Sequence, residues 1–465
     1  MFFQQFYLGC LAHASYMFGS NCEAVVIDPQ RDVEIYLEAA EKNGLSIRHV
    51  FETHLHADFV SGHRELAQRT GATIYVGAAA GAKFNHVALH DGFTLQVGDV
   101  CMQALETPGH TPESVCLVLT DCEHGSDEPW AVFTGDTLFI GDVGRPDLSP
   151  THTPQQLAEM MYDSLHHKLM TLPDKTLVYP AHGAGSLCGR KMRAESSSTI
   201  GTERLTNWAL QIKTREDFVS QMTSNLPARP EYFAQDAAIN REGAPALNEL
   251  AALTPISPAD LQYQVAQGVT AVDVRHQDEF AAGHVPNSIS IPLGGQFASW
   301  AGAVLGLSAD PVLIGESVEQ VTEARLRLAR VGIEDVAGYL EGGIAGWKSA
   351  GLPLSEVPQM TVEQLKAQLE KNSARVLDVR REGEWNSGHI DGASWHALDN
   401  FKRALPELNS AAPVAVHCKS GYRSMIACSF LQRAGHTNVI NLVGGFDAWE
   451  KAGLPVVEQA AATSA

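Results

Sequence analysis

The chain has 465 residues, which at about 150 residues per domain corresponds to roughly three domains. Its 54 acidic and 33 basic residues leave a net charge of −21, which argues against nucleic acid or an anionic membrane as a partner. No run approaches the roughly 20 apolar residues of a membrane span, and the stretch MFFQQFYLGCLAHASYMFG lacks the positive region and cleavage site of a signal peptide.

The eight cysteines (Cys10, Cys22, Cys101, Cys116, Cys122, Cys188, Cys418 and Cys428) contain no CxxC pair and do not look like a disulfide framework. A reducing cytoplasm is the simplest setting. Most of these thiols read as small core hydrophobes, with Cys418 the exception. The sequence allows a homo-oligomer without specifying one.

In chain order, Ala24-Val25-Val26-Ile27-Asp28 reads as a strand. Arg31 to Asn43 carries apolar residues at helical intervals and stops at Gly44, a fitting C-cap. The apolar run His49-Val50-Phe51 predicts another strand, followed by Thr53-His54-Leu55-His56-Ala57-Asp58-Phe59 and the turn Ser61-Gly62-His63 into a helix. Two imidazoles and a carboxylate within five residues form a compact set of metal-binding groups. Their i,i+2 spacing suits a loop wrapping an ion, where a helix would use i,i+4.

Thr73 to Val76, Leu95 to Leu105 and Val115 to Thr120 predict further strands, the later ones antiparallel. Thr107-Pro108-Gly109-His110 sets a histidine on a rigid turn. Ala131 to Asp136 is a strand ending in a carboxylate, and Val178 to His182 a strand ending in a histidine. Four strand ends each delivering His or Asp is how loops on a rigid scaffold build a site. Between them, Phe139 to Leu148 carries Arg145, readable as an ion-pair partner of Asp142 or Asp147, or as a fork-shaped clamp for an anionic substrate. Residues 190–250 read as helical and polar, broken at Pro227 and Pro230.

This ordered series resembles the metallo-β-lactamase superfamily, whose pattern is HxHxDH, then His, Asp and His. The position after Asp58 is Phe59, which cannot ligate, so the second metal of the dinuclear hydrolases is disfavoured. The THLHAD, GDTLFIGDVGRPD and YPAHG stretches are similar to those of the persulfide dioxygenases, or sulfur dioxygenases. That resemblance implies one Fe(II) held by His54, His110 and Asp136, with His56, Asp58 and His182 beside it, His56 as a further ligand or not. Two histidines and a carboxylate with open positions also match the facial triad of non-haem Fe(II) oxygenases.

An internal repeat follows. Val272-Asp273-Val274-Arg275 recurs as Leu377-Asp378-Val379-Arg380, 105 residues on (378 − 273). Gly342-Gly343, Trp347 and Gly351-Leu352-Pro353 recur 102 residues on (449 − 347). A unit of this size is a domain, not a solenoid repeat. The DVR…E…GHI pattern and GG-x3-W-x3-GLP ending resemble rhodanese domains.

In the second copy, strand Val414-Ala415-Val416-His417 leads into Cys418-Lys419-Ser420-Gly421-Tyr422-Arg423 and a helix from Met425. A strand-to-helix turn with Lys419 and Arg423 nearby favours the thiolate. The four residues between Cys418 and Arg423 make a smaller cradle than the Cys-x5-Arg of phosphatases, which fits a sulfane sulfur and not a phosphate. In the first copy the nucleophile position is Glu316 (418 − 102) and the arginine position Val321 (423 − 102), so that copy is degenerate.

The expected fold is α/β: a metallo-β-lactamase αββα sandwich (residues 1–245), a degenerate rhodanese-like domain (246–356) and an active rhodanese domain (357–465) with parallel sheets. The resemblances imply oxidation of a low-molecular-weight thiol persulfide by O2 to sulfite and thiol, coupled to sulfur transfer with thiosulfate through Cys418, in sulfide detoxification or the reverse flux. Rival readings are a glyoxalase-II-like zinc thioester hydrolase with a sulfurtransferase tail, and a non-oxidising sulfur carrier.

Overall fold

The computed structural model describes residues 1–122, 128–224, 226, 228–408 and 412–458. It divides into two compact units, Met1–Leu250 with Ala329–Gly332, and Ala251–Leu328 with Ile333–Ala465. Of the two expected helix breakers near the end of the first unit, Pro227 lies outside the described residues.

The first unit stacks two six-stranded sheets. One runs β1 (Phe2–Leu8), β2 (His13–Ser20), β3 (Glu23–Ile27), β4 (Ser46–Glu52), β5 (Thr73–Gly77) and β6 (Val87–Leu89) in spatial order. The other is built from β7 (Thr94–Val97), β8 (Val100–Glu106), β9 (Val115–Asp121), β10 (Pro129–Gly135), β11 (Leu177–Pro180) and β12 (Ser198–Thr199), ordered β12 to β7. Alternation along the strands makes the layers. In β2, Tyr16 and Phe18 face the core between the sheets with Val25, Phe51, Leu117 and Phe133, while Met17 points to the opposite side with Val26 and Val50. Residues on helix Glu34–Lys42 (Tyr36, Ala39) and helix His63–Thr70 (Leu66) cover that outer face. Helix Pro154–His167 covers the outer face of the second sheet through Met161 and Leu165. Its start is fixed by Thr153 and Gln156, which cap each other's backbone N–H, and by Pro154 in the first turn. Four layers, helix–sheet–sheet–helix, result.

The predicted strands are present, and the helix expected over Arg31 to Asn43 is shorter, Glu34–Lys42. The run Leu95 to Leu105 is a hairpin, β7 and β8 turning at Gly98-Asp99. Antiparallel register sets Cys101 opposite Thr120, and this brings Cys122, just past β9, against Cys101, where the two form a disulfide. The sequence predicts no disulfide framework; this single pair joins neighbouring strands and needs no CxxC spacing.

The second unit contains two parallel five-stranded sheets of the same topology. The first is β13 (Pro255–Ile256), β17 (Gly338–Leu340), β16 (Val312–Ile314), β14 (Ala271–Asp273) and β15 (Ile289–Ser290) in spatial order. The second is β18 (Gln359–Met360), β23 (Val439–Leu442), β22 (Val414–His417), β19 (Arg375–Asp378) and β21 (Ser394–Trp395), with a two-stranded ribbon of β20 (His389–Ile390) and β24 (Val456–Val457) beside it. The repeat holds down to individual bonds. Arg275 forks onto Asp273 and donates to the Gly283 carbonyl at 2.9 Å, as Arg380 does to Asp378 and Gly388 at 2.7 Å. Trp347 and Trp449 each donate an indole N–H to the carbonyl six residues on, at 2.9 Å. Among the described residues, no helix is long and apolar enough to cross a membrane.

Candidate metal centre and sulfur-transfer site

The C-terminal ends of β4, β8, β10 and β11 meet at one edge of the sandwich. His54, His110 and Asp136, each fully buried, offer ligand atoms within 4.8 Å of one another. Each has one atom engaged and one left over. Thr53 donates its hydroxyl to Asp28 Oδ2 (2.8 Å) and so accepts from His54 Nδ1 (3.0 Å), which leaves the Nε2 lone pair facing inward. His110 Nδ1 donates to the Arg145 carbonyl at 2.9 Å, leaving Nε2 free in the same way. His182 Nδ1 binds Asp136 Oδ1 at 2.8 Å, and Oδ2 lies 3.3 Å from His110 Nε2 and 3.8 Å from His54 Nε2. His54 Nε2 and Asp136 Oδ2 are buried with no hydrogen-bond partner. Unpaired buried polar atoms are costly, and their convergence as two imidazole nitrogens and one carboxylate oxygen fits a divalent metal ion.

Two glycines permit this approach. Gly135 has φ of +51°, and a Cβ there would lie 2.5 Å from Thr53 Oγ1. A Cβ on Gly144 would lie 2.1 Å from the Asp136 carbonyl and 2.8 Å from His110 Nδ1.

The electrostatics separate ligands from supports. Burial, and then His56, hold His54 well below its usual range, and burial lowers His110. Burial would raise Asp136, but His182, His110 and His54 outweigh it and hold it well below the usual carboxylate range. His182 is buried too, yet Asp136 and Asp58 on its two nitrogens (2.8 and 3.0 Å) hold it well above its usual value. It sits between two carboxylates that favour its charged form.

His56 turns away from the three ligand atoms. Its Nε2 lies 3.2 Å from Asp28 and 3.6 Å from Glu52. Against its burial, Asp28 raises its pKa, while burial pushes Glu52 up to about 8. Phe59 is buried against the rings of His13 (4.1 Å between centroids) and His56 (4.4 Å). Arg145 is buried with its fork on Asp147 (2.6 and 2.8 Å), so of its two sequence readings the geometry displays the ion pair; its backbone carbonyl orients His110. Asp142 instead accepts from the Trp208 indole.

Sequence reasoning missed three contributors: Asp28, Glu52 and Cys188. Asp28 holds the Thr53 backbone (2.7 Å) and hydroxyl, and its signal was available, because Ala24 to Asp28 is another strand ending in a carboxylate. Cys188, read as core, lies with Asp58 and His182 in a second buried trio, in a stretch without periodicity. A cavity of about 390 Å³ opens beside His182, walled by Gln5, Tyr7, Pro180, Gly183 and Glu195 among others.

The Metallo-beta-lactamase superfamily profile matches residues 8–182, and the Rhodanese-like domain profile matches residues 257–350 and 361–452. The mitochondrial persulfide dioxygenase ETHE1 of Bos taurus is 35% identical over 213 residues, covering 44% of this chain and 73% of that protein. The chain belongs to the persulfide dioxygenase family. Beyond that dioxygenase-like part, this family member carries two rhodanese-like domains. A crystal structure of a metallo-beta-lactamase from Staphylococcus aureus subsp. aureus COL is 34% identical with a TM-score of 0.66, covering 73% of this chain and 98% of that one. A probable hydroxyacylglutathione hydrolase of Schizosaccharomyces pombe is 34% identical over 165 residues, 34% of this chain and 59% of that protein.

In the second rhodanese-like domain, β22 delivers Cys418 into a turn closed by Gly421, whose φ is +106° and whose N–H donates to Cys418 Sγ at 3.2 Å. Helix Tyr422–Arg433 starts directly after it, three residues earlier than expected. Arg423 grips Glu384 with two bonds of 2.6 and 2.7 Å. Burial opposes its charge, but Glu384 and the Cys418 sulfur outweigh this and keep it fully cationic. Lys419 is exposed beside the thiol. Cys428 is buried, and burial pushes its thiol up. In the first domain Val321 is buried and Glu316 faces Glu279, whose hydrogen bond raises its pKa.

Proposed function

We propose that the first unit oxidises a low-molecular-weight thiol persulfide, such as glutathione persulfide, with O2, and that Cys418 exchanges sulfane sulfur with thiosulfate. The observation that carries the reading is the set of three inward-facing atoms on His54, His110 and Asp136, with His56 withdrawn onto Asp28 and Glu52. Three ligands on one side suit a mononuclear Fe(II), which when bound supplies a redox-active Lewis acid with open positions for sulfur and O2. Overall, one persulfide, one O2 and one water give one thiol and one sulfite.

The chain's own groups do the positioning. Thr53 and the Arg145 carbonyl set the tautomers of His54 and His110. His182, placed between Asp58 and Asp136, holds Asp136 Oδ1 and leaves Oδ2 for the metal. Phe59 seals the side toward His13 and His56 and helps keep water out. The cavity beside His182 receives the organic part of the thiol.

At the second site the Cys418 thiolate attacks the outer sulfur of thiosulfate. A Cys–S bond to that sulfur forms, the S–S bond of thiosulfate breaks, and sulfite leaves with the bonding pair. Tethering raises the effective concentration of shared sulfite and persulfide, to millimolar order for a suitable linker. The thioester hydrolase reading draws on the Asp58–His182–Cys188 trio and predicts zinc and anaerobic thiol release. Asp136→Ala tests the oxidative reading: metal analysis and an oxygen electrode should show iron and oxygen uptake lost together. Oxygen uptake that persists in the metal-free variant would refute it.

A further inference from the structure

A cavity of about 330 Å³ lies against the Cys418 turn, walled by Arg380, Glu384, Lys419, Phe446, Asp447 and Glu450 among others. Its position is fixed by backbone bonds: Phe446 N–H donates to the Cys418 carbonyl at 2.8 Å, and Asp447 N–H to the Lys419 carbonyl at 2.9 Å. Gly445 makes this docking feasible, since a Cβ there would meet the Cys418 carbonyl at 2.5 Å. The cavity therefore borders the loop that carries the nucleophile.

Its charges fall into two classes. Arg380 is spent on Asp378, with its guanidinium 3.8 Å from the Phe446 ring centroid, and Glu384 is spent on Arg423. The side chains of Lys419, Asp447 and Glu450 are exposed and form no hydrogen bond or ion pair within the described residues. Asp447 and Glu450 sit three residues apart on helix Gly445–Lys451 and so share a face. The cavity wall thus offers one cation, directly after the nucleophile, and two anions. A ligand with a single charge satisfies groups of only one sign. A ligand bearing both a carboxylate and an ammonium group satisfies both, and a phosphate-bearing ligand meets the paired carboxylates with like charge.

We propose that this cavity is the subsite for the thiol that receives sulfur from Cys418, and that Lys419, Asp447 and Glu450 select an amino-acid-type thiol carrying both a carboxylate and an ammonium. The inference rests on the reading of Cys418 as a sulfur carrier. In the step concerned, the thiolate R–S⁻ attacks the outer sulfur of Cys418–S–SH. The R–S–S bond forms, the Cys418 S–S bond breaks, the persulfide R–S–SH leaves, and Cys418 returns as thiolate. Lys419 takes the carboxylate of the thiol, and Asp447 with Glu450 takes its ammonium.

The test uses the full chain. Cys418 is charged with thiosulfate, excess is removed, and discharge is followed with cysteine, 3-mercaptopropionate, cysteamine and coenzyme A at equal thiolate concentration. Cysteine should show a KM about tenfold below that of 3-mercaptopropionate, the amount two exposed carboxylates are able to supply, and coenzyme A should be poorer still. The double variant Asp447→Asn, Glu450→Gln should bring cysteine and 3-mercaptopropionate within about twofold, while Lys419→Met should raise KM for cysteine and leave that for cysteamine unchanged. Equal KM values for cysteine and 3-mercaptopropionate, or a preference that survives the double variant, would overturn the proposal. Mass spectrometry of the charged wild-type chain keeps the two levels apart. If Cys418 gains no sulfur atom, the carrier reading itself fails; if it gains one and discharges without preference, only the subsite fails.

Discussion

Asp28→Asn changes one atom in a residue that touches no metal ligand directly. Asp28 Oδ1 accepts the Thr53 N–H at 2.7 Å and faces His56 Nε2 at 3.2 Å; Oδ2 accepts the Thr53 hydroxyl at 2.8 Å. The asparagine nitrogen cannot accept, so one of these bonds is lost and the Thr53 hydroxyl is free to turn. It then competes as a donor for His54 Nδ1, which favours the tautomer with its proton on Nε2, the atom that must be bare. The charge opposite His56 also disappears. Losing a partner behind a metal ligand costs about 10–100-fold in metal affinity, which is about 1.4–2.7 kcal/mol at 1.36 kcal/mol per decade. Competition against a chelator of known affinity reads this directly, with circular dichroism to establish that the variant is folded. A folded Asp28→Asn protein that holds its metal within twofold of the parent would refute the argument that Asp28 sets the His54 tautomer through Thr53.

Three other substitutions separate the parts of the molecule. Cys418→Ser should abolish thiosulfate turnover and leave oxygen uptake on pre-formed persulfide intact; loss of both activities would show that the two sites are not independent. Glu384→Ala should destabilise the second unit by about 1–2 kcal/mol in urea denaturation, less than a fully buried pair because the Glu384 side chain is 32% exposed and water screens it. It should also slow charging of Cys418, since Arg423 loses its anchor. Phe133→Ala, in the core between the two sheets, should cost about 3–5 kcal/mol; a change under 1 kcal/mol would mean that this core is not where the first unit's stability resides.

His54, His110 and Asp136, proposed to hold the metal, and His182 beside them were readable because they follow short apolar strands, and strand ends on a rigid scaffold project side chains predictably. Their distinct jobs were not readable. Whether His56 points at the ion or at Asp28 and Glu52 depends on β3 and β4 lying side by side, a pairing that links Asp28 and Thr53, 25 positions apart. The degenerate copy was legible from Glu316 and Val321 alone, since a repeat carries its own reference. The Cys101–Cys122 disulfide was not, because it depends on antiparallel register across a 21-residue separation. Cys188 lies in irregular chain between β11 and β12, where neither period 2 nor period 3.6 marks it; only the fold brings it to Asp58 and His182.

The proposed oxidation needs one cation with room for both oxygen and sulfur. Its most direct test is oxygen consumption and sulfite release by the full chain on glutathione persulfide, with metal content measured on the same sample. One iron per chain and one sulfite per O2 consumed is the predicted result. Two zinc ions per chain, with thioester cleavage proceeding under argon and no oxygen consumed on persulfide, would contradict it.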